Sequence, residues 1–388
     1  MSLRIALVAP TYPPDRCGVG DHTGMLAQTL AESGAQVDVY TSSGAPRAEQ
    51  TGLTVHPVVA SWSVGGMIVL AHRIALARPD VVLIQYVPTL YVRRGMSFAA
   101  PLLAWFLRRY GLRVVTVVHE PFVPLWRNVT DTLRGIVQRV ALVIMVLGST
   151  RSVFTTQFWT HQMQSWLPWR RQDIYRVVVG SNLPLVALEA SDRVRLRQEM
   201  GATPDDIVVV FFGSLHGSKR IELILKTMER LRATGLPAFL LVIGQGQDEL
   251  ARLGDAPLLP VHIMYCTGYV DAAQASGYLQ CGDLFAYPTV DGISTRRTSA
   301  IAALQHGLPV VATSGLLTEH EIFDGSVAMS DVGDDEAFIA LMVALAGDVE
   351  RRKNLSDRGR ALEQRCFSWP SIVRQIVDSQ HQEPSSSW

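Results

Sequence analysis

The sequence predicts an α/β protein built from two doubly wound, parallel-sheet domains in tandem. Three observations carry that prediction. Short continuous apolar runs recur along the chain, as in strands buried on both faces of a parallel sheet. Segments suited to helices separate them, the pattern of repeated strand–helix–strand units. The alternation then starts afresh near Asp206, and 388 residues are enough for two domains of ordinary size.

In the first half, Arg4–Ala9 reads as the opening strand, followed by a long loop, Pro10–Gly20. Asp21 can cap a helix over His22–Ser33, which Gly34 ends. Val37–Thr41, Pro79–Gln85, Arg113–His119 and Ala141–Leu147 continue the series of strands. A connector, Ser181–Asp205, carries Pro184 and Pro204 on either side of a charged helix, Ser191–Met200. The second half repeats the pattern: strand Ile207–Gly213, helix Arg220–Thr234, then strands Phe239–Gly244, Val261–Thr267 and Asp283–Pro288. Asp291-Gly292 makes a turn, Ala300–Gln305 a helix closed by His306-Gly307, and Val310–Ala312 the next strand. The polar, Ser-rich end, Glu383–Trp388, is expected to be disordered.

Composition excludes several classes of function. Acidic and basic side chains balance at 35 each, whereas a general nucleic-acid binder needs a basic surplus. Cys17, Cys266, Cys281 and Cys366 show neither CxxC nor Cys/His spacing, so reduced thiols and no structural zinc are expected. No Asp-x-Asp triplet or His/Asp cluster offers metal-ligand spacing. Arg4 enters a strand without a signal-peptide pattern, and the apolar run Ser97–Leu107 is too short to span a bilayer and contains Pro101. A cytoplasmic location is expected, with peripheral attachment to the inner membrane face as the alternative. Two stretches suit that attachment: Arg151–Arg171, where Trp159, Trp166 and Trp169 lie near Arg170 and Arg171, and Met96–Arg109. Ordinary packing between helices explains both equally.

Ligands of doubly wound sheets bind beyond the C-terminal ends of the strands, so the loops there hold the candidate residues. The strongest is Asp291–Ser299. Ser294, Thr295, Arg296, Arg297, Thr298 and Ser299 crowd a helix start, where free N–H groups and the helix dipole favour an anion. Two arginines and four hydroxyls at that end suit a phosphate or diphosphate; a capped helix with surface arginines is the plainer alternative. Lys219, after a glycine- and serine-containing turn, can reach a phosphate as a point charge, or be an ordinary surface lysine. Gly18 and Gly20 allow close backbone approach and positive φ, and Gly244 and Gly246 leave room for a base or phosphate; simple turns fit both pairs too. His119, at a strand end beside Glu120, is a ligand-contacting candidate or a satisfied structural histidine.

Taken together, these segments resemble the retaining glycosyltransferases of the GT-B fold, particularly glycosyltransferase family 4, over nearly the whole chain. The N-terminal RIALVAPTYPPDRCGVGDHTGMLAQTLAESGAQVDVYT is similar to the family's strand, glycine loop and helix. VVTVVHE carries its histidine at His119, VVVFFGSLHGSKRIELIL resembles its GR-x-x-x-x-KG phosphate loop, and LVIGQGQDEL and YCTGYVD match its base-binding segments, the latter through Tyr269 and Val270. AALQHGLPVVAT and FSWPSIV resemble the family's late helix end and C-terminal segment. The resemblance implies two facing Rossmann-like domains, residues 1–182 for the acceptor and 183–369 for the donor, with a helix over about 370–382 packing back on the first. It also implies a nucleoside diphosphate sugar as donor, no metal and no cofactor, and retention by same-face attack. His119 would lie beneath the donor sugar.

The chain departs from the family pattern in three places. Ser214 stands where the phosphate-loop arginine is expected, while Lys219 keeps its place. Counting back from Gly307, the second glutamate of the Glu-x7-Glu signature falls on Ala302, and the first falls on Ser294. A three-residue insertion instead aligns Asp291-Gly292 with the family's Glu-Gly, retaining the turn and an acid, and Arg296 and Arg297 then replace the missing arginine. The expected activity is hexosyl transfer to a hydroxyl on a glycan, lipid-linked or small-molecule acceptor, with His119 and Asp291 catalytic. Two rivals stand beside it: a nucleotide-sugar epimerase, for which no clear acid/base pair is visible, and a catalytically silent binding or partner protein, suggested by the lost glutamates.

Overall fold

The structure, a computed structural model, describes residues 2–125, 128–215, 217–246, 248 and 260–381. The chain divides into two units: Met1–Val178 with the helix from Ile372 onward, and Val179–Ser371. Each is a parallel sheet covered by helices, the α/β architecture the sequence predicts.

In the first unit eight strands run in the order β3-β4-β2-β1-β5-β6-β7-β8. They are β1 (Arg4–Val8), β2 (Gln36–Ser42), β3 (Ala48–Gln50), β4 (Leu53–Val59), β5 (Val81–Tyr86), β6 (Val114–Val118), β7 (Arg151–Phe154) and β8 (Ile174–Arg176). All pairs are parallel except the β3–β4 hairpin. The second unit has six parallel strands in the order β11-β10-β9-β12-β13-β14. These are β9 (Ile207–Phe212), β10 (Ala238–Ile243), β11 (Met264–Cys266), β12 (Leu284–Tyr287), β13 (Val310–Ser314) and β14 (Ala328–Asp331). Leaving out the β3 edge, both orders are the Rossmann arrangement, in which the winding reverses between the first and fourth strands. Those switch points are β1/β5 and β9/β12, and the loops beyond them form natural clefts. The central strands β5, β6 and β10 are buried along their whole length, as expected of runs such as VVLIQY, VVTVV and AFLLVI with helices on both faces.

Several predicted elements are corrected. Ala141–Leu147 is not a strand but the end of a long helix, Val129–Gly148. Its Ala141, Leu142, Met145 and Val146 continue the core-facing spacing of Gly135 and Gln138, so the 3.6-residue period outweighs the local apolar run. The strand lies beyond it, at β7. The first helix begins at Gly18, not His22, with Cys17 as its N-cap and Asp21 within its first turn. Gly18 and Gly20 are thus helical, and neither has the positive φ expected of them. A side chain at Gly20 would press on the Thr11 backbone at 3.3 Å, so its glycine serves helix–loop packing. Val261–Thr267 is one turn of 3₁₀ helix followed by the short β11.

The final helix, Trp369–His381, carries Ile372, Val373 and Ile376 buried. The segment Gln247, Glu249–Leu259 and the tail from 382, where disorder is expected, lie outside the described residues.

Candidate active site

The second unit brings most of the predicted donor-binding residues to the C-terminal edge of its sheet, around the β9/β12 switch. Gly213 and Gly244, at the ends of the adjacent strands β9 and β10, both have left-handed backbones, and a Cβ on Gly244 would lie 3.9 Å from Gly213. Gly244 N–H donates to Thr267 Oγ1, and Gly268 N–H to Gln245 O, which pins the Gly246 loop to the segment leading to Tyr269 and Val270. Tyr269 is 63% exposed and takes no part in the core. Ser214 is exposed at the end of β9.

Lys219 is held by the chain on both sides. Val290 N–H donates to Ser218 O and Arg220 N–H to Pro288 O, and Lys219 forms a bridge with Thr289. Its ammonium points back into the site, 3.4 Å from Phe212 O and 5.1 Å from the centre of the Phe211 ring. A Cβ on Gly213 would sit 2.6 Å from Lys219 Nζ, so glycine at 213 is what admits the lysine. Burial, aided by the nearby Arg297, pulls the lysine down to about 8. No carboxylate pairs with it among the described residues.

Across from it lies the Asp291–Ser299 segment. Gly292 has φ +81°, and a side chain there would meet Gly315 N and Thr318 Oγ1 at 2.3 Å, so the turn requires glycine. The turn is tied to the next loop through Leu317 N–H to Asp291 O and Ile293 N–H to Thr313 O. Asp291 then accepts from both arginines: from Arg296 at 2.9 Å, and from Arg297 at 2.6 and 2.7 Å, one bond to each carboxylate oxygen. These ion pairs are mostly buried, with side-chain exposures between 14% and 22%. Ser299, on the first turn of the helix Thr298–Gln305, closes the cluster near Gly213. Three cations, Lys219, Arg296 and Arg297, outnumber the two carboxylates at this segment, Asp291 and the buried Glu319, so the net charge is positive below pH 8.

Two predicted donors are corrected. Ser294 and Thr295 are completely buried beneath the loop, because the helix starts only at Thr298, with Arg297 at its N-cap. The Thr295 hydroxyl and N–H donate to the buried carboxylate of Glu319, and Ser294 Oγ makes no hydrogen bond. Both therefore support the loop and present no hydroxyl to a ligand. Sequence reasoning missed Glu319, 24 positions from Thr295, because no local pattern links them.

In the first unit His119 follows β6. Its ring Nε2–H donates to Gln85 Oε1 at 2.7 Å, and its ring meets the buried His22 edge-on at 4.7 Å between centres. Burial pulls His119 down to about 4, and burial plus His119 pulls His22 well below the usual range, so both are neutral at pH 7. Gln85 was legible as a polar residue inside the apolar run VVLIQY; Gln85 and His22 were not singled out. Gly18 and Gly20 belong to the helix that carries His22.

A cavity of about 830 Å³ lies elsewhere in the second unit, at the far end of the Thr298–Gln305 helix, lined by Arg193, Gly307, Arg352, Arg360 and Glu363 among others. It contains none of the predicted site residues. The convergence of cations marks the β9/β12 edge, not this cavity, as the candidate site. Of the three tryptophans singled out for a membrane interface, Trp159 and Trp166 pack against the first unit's core, with Trp166 stacked on Phe122, whereas Trp169 is 71% exposed. Arg170 is occupied by Asp173 and the carbonyls of Ser149 and Thr150. Among the described residues no helix is long and apolar enough to cross a membrane.

Comparison with known proteins agrees with this architecture. No curated protein matches the sequence. Among solved structures, the sucrose-phosphate synthase of Thermosynechococcus elongatus is 17% identical with a TM-score of 0.72, covering 98% of each chain. Anabaena Alr3699/HepE, solved in complex with UDP-glucose, is 16% identical with a TM-score of 0.69, covering 98% of this chain and 100% of its own. The α,α-trehalose 6-phosphate synthase of Burkholderia multivorans is 12% identical with a TM-score of 0.67, covering 98% and 96%. The fold is GT-B, with two Rossmann-like domains. The family model for glycosyl transferases group 1 matches residues 206–348, and that for the glycosyl transferase 4-like domain matches residues 17–213. With the latter spanning half of its length, the chain belongs to the glycosyl transferase 4-like family.

Proposed function

We propose that the chain is a retaining, metal-independent hexosyltransferase that moves a sugar from a nucleoside diphosphate sugar to a hydroxyl of a glycan, lipid-linked or small-molecule acceptor. The observation that carries this reading is the convergence of Lys219, Arg296 and Arg297 at the β9/β12 switch, where Asp291 accepts from both arginines. Its net positive charge suits a diphosphate, and the left-handed Gly213 and Gly244 leave its approach open. Bonds from charged donors are about twice as strong as neutral ones, so three cations can neutralise a leaving diphosphate without a divalent ion. Asp291 positions both guanidinium groups by accepting from each. The anomeric carbon–oxygen bond to the diphosphate breaks, the acceptor oxygen bonds to that carbon on the same face, and the acceptor proton passes to the departing phosphate.

His119 is the second proposed catalytic element, contacting a sugar hydroxyl. Its ring is neutral at pH 7, so it adds no repulsion to positive charge developing on the sugar. The Anabaena neighbour's UDP-glucose complex makes uridine diphosphate sugars the first donors to test. A catalytically silent reading has one observation in its favour: the second glutamate of the Glu-x7-Glu signature falls on Ala302, which is buried in the helix. Incubation with a panel of nucleoside diphosphate sugars and acceptors, followed by NMR of the product's anomeric proton, decides between them. Transfer with the donor's configuration retained is the expected result. Binding without turnover on every donor and acceptor overturns the transferase reading, and inverted product overturns retention.

A further inference from the structure

Gln85 is out of keeping with its strand. Val81–Tyr86 is buried along its whole length, and Gln85 itself is 0% exposed. A buried amide costs stability unless new hydrogen bonds replace those it made to water. Only half of that replacement is made: Oε1 accepts from His119 Nε2–H at 2.7 Å, while Nε2 is buried without a partner among the described residues. A leucine or methionine would fill the same space without leaving a buried donor unpaired. What glutamine supplies there, and an apolar residue cannot, is one acceptor aimed at His119.

The histidine is held from several sides. Its backbone N–H donates to Tyr86 O at 3.0 Å, one residue beyond the Tyr86–Val118 pairing of β5 and β6. Its carbonyl accepts from the Thr155 hydroxyl at 3.3 Å, and the His22 ring meets its own edge-on. Gln85 is anchored in turn, because its carbonyl accepts from the buried Tyr91 hydroxyl at 2.7 Å. A neutral imidazole carries one N–H and one lone pair, so the nitrogen that donates to Gln85 decides what the other can do. Nδ1 is then the acceptor. It makes no hydrogen bond among the described residues and, unlike the Gln85 amide nitrogen, is not enclosed, so it is the ring nitrogen left for a ligand.

We propose that Gln85 is a positioning residue: it fixes His119 as the Nε2–H tautomer and so presents Nδ1 as an acceptor to a hydroxyl of the bound ligand. In the opposite tautomer Nδ1 would carry the proton and could only donate. The inference rests on the reading of His119 as the residue that contacts a sugar hydroxyl, and it gives that contact a direction: the sugar O–H donates and Nδ1 accepts. Because burial keeps the ring neutral at pH 7, the two tautomers are the states between which Gln85 chooses there. Gln85 touches no ligand itself, since its side chain is enclosed, and acts only through the ring.

Nitrogen NMR of the full chain, isotope-labelled at histidine, reads the tautomer directly. The His119 resonances, assigned by their absence from His119→Ala, should show a protonated Nε2 and an unprotonated Nδ1 at pH 7. Gln85→Met keeps the bulk and removes the acceptor. A buried Nε2–H without an acceptor is disfavoured, so the signature should move to the Nδ1–H form. Gln85→Glu, which keeps an oxygen at the same reach, should retain the protonated Nε2. With a donor and an acceptor that the wild type turns over, Gln85→Met should lower kcat by about 10–100-fold, the usual effect of losing the partner that orients a functional histidine, with the donor KM and the urea midpoint nearly unchanged. A glutamine that served stability alone would give the reverse split. A wild type with the proton on Nδ1 overturns the inference, and so does a methionine variant that keeps either the wild-type tautomer or the wild-type kcat. Absence of turnover by the wild type counts against the transferase reading alone, and the tautomer measurement still decides whether Gln85 sets the ring.

Discussion

Replacing Lys219 by methionine isolates the charge on which the donor site depends. The substitution keeps most of the side chain's length and apolar stem but removes the ammonium. That ammonium has no carboxylate partner among the described residues, so its loss strands no opposite charge there, and a bound diphosphate is the partner proposed for it. A charge-assisted hydrogen bond contributes about 1.5–3 kcal/mol, so nucleoside diphosphate affinity should fall by roughly 10- to 150-fold. The pH dependence sharpens the test. With Lys219 near 8, the binding-competent cation prevails at pH 7, and an anionic ligand stabilises it further. Wild-type affinity should therefore hold up to about pH 8 and fall as pH rises beyond it, by up to about tenfold per unit. The methionine variant should lack this step. Folding stability runs the other way: the unfolded lysine binds a proton up to its ordinary range near 10.5, so wild-type stability should gain as pH rises from about 8 toward that value, and the variant should not show the gain. Calorimetry across pH 6.5–9.5 measures the affinity and urea unfolding the stability. Unchanged affinity with an unchanged pH profile refutes the placement of the diphosphate at Lys219.

Other consequences follow from the same geometry. Arg297→Ala, which removes two bonds to Asp291 as well as a cation, should weaken nucleoside diphosphate binding by at least tenfold in the same calorimetry. His119→Ala should lower turnover by roughly 10²–10⁴ with nucleotide affinity nearly unchanged, whereas a purely structural histidine would give lost stability and near-normal turnover in the folded fraction. Because burial holds His119 near 4 and His22 below its usual range, the unfolded state takes up protons first on acidification; the urea midpoint should fall between pH 6.5 and 4. Turnover should survive EDTA undiminished, and activity that EDTA abolishes and Mg²⁺ or Mn²⁺ restores would contradict the metal-independent reading.

Much of the fold is legible in the sequence because a parallel sheet demands continuous apolar strands, and those runs stand out between helical segments. Ala141–Leu147 misled because seven apolar residues fit a buried strand and a buried helix face alike, and only the upstream spacing decides. The short strands β3, β7, β8 and β11 carry too few residues for a periodic signal. At the candidate site, the crowding of donors in Ser294–Ser299 was visible, but their division was not. Burial of Ser294 and Thr295 depends on Glu319, and the capture of both arginines by Asp291 depends on a turn set by Gly292 and Gly315. Such long-range pairings leave no mark on local sequence. Lys219 could be singled out as a lysine after a turn and by its place in the phosphate-loop pattern; the absence of a Cβ at Gly213, which lets it reach inward, is a tertiary fact.

A crystal structure with a bound nucleoside diphosphate tests the central claim most directly. Diphosphate oxygens should lie within hydrogen-bond distance of Lys219 Nζ, of the Arg297 guanidinium and of the backbone at Thr298–Ser299. A diphosphate held instead in the cavity beside Gly307, Arg352 and Arg360, with Lys219 and Arg297 untouched, would contradict it.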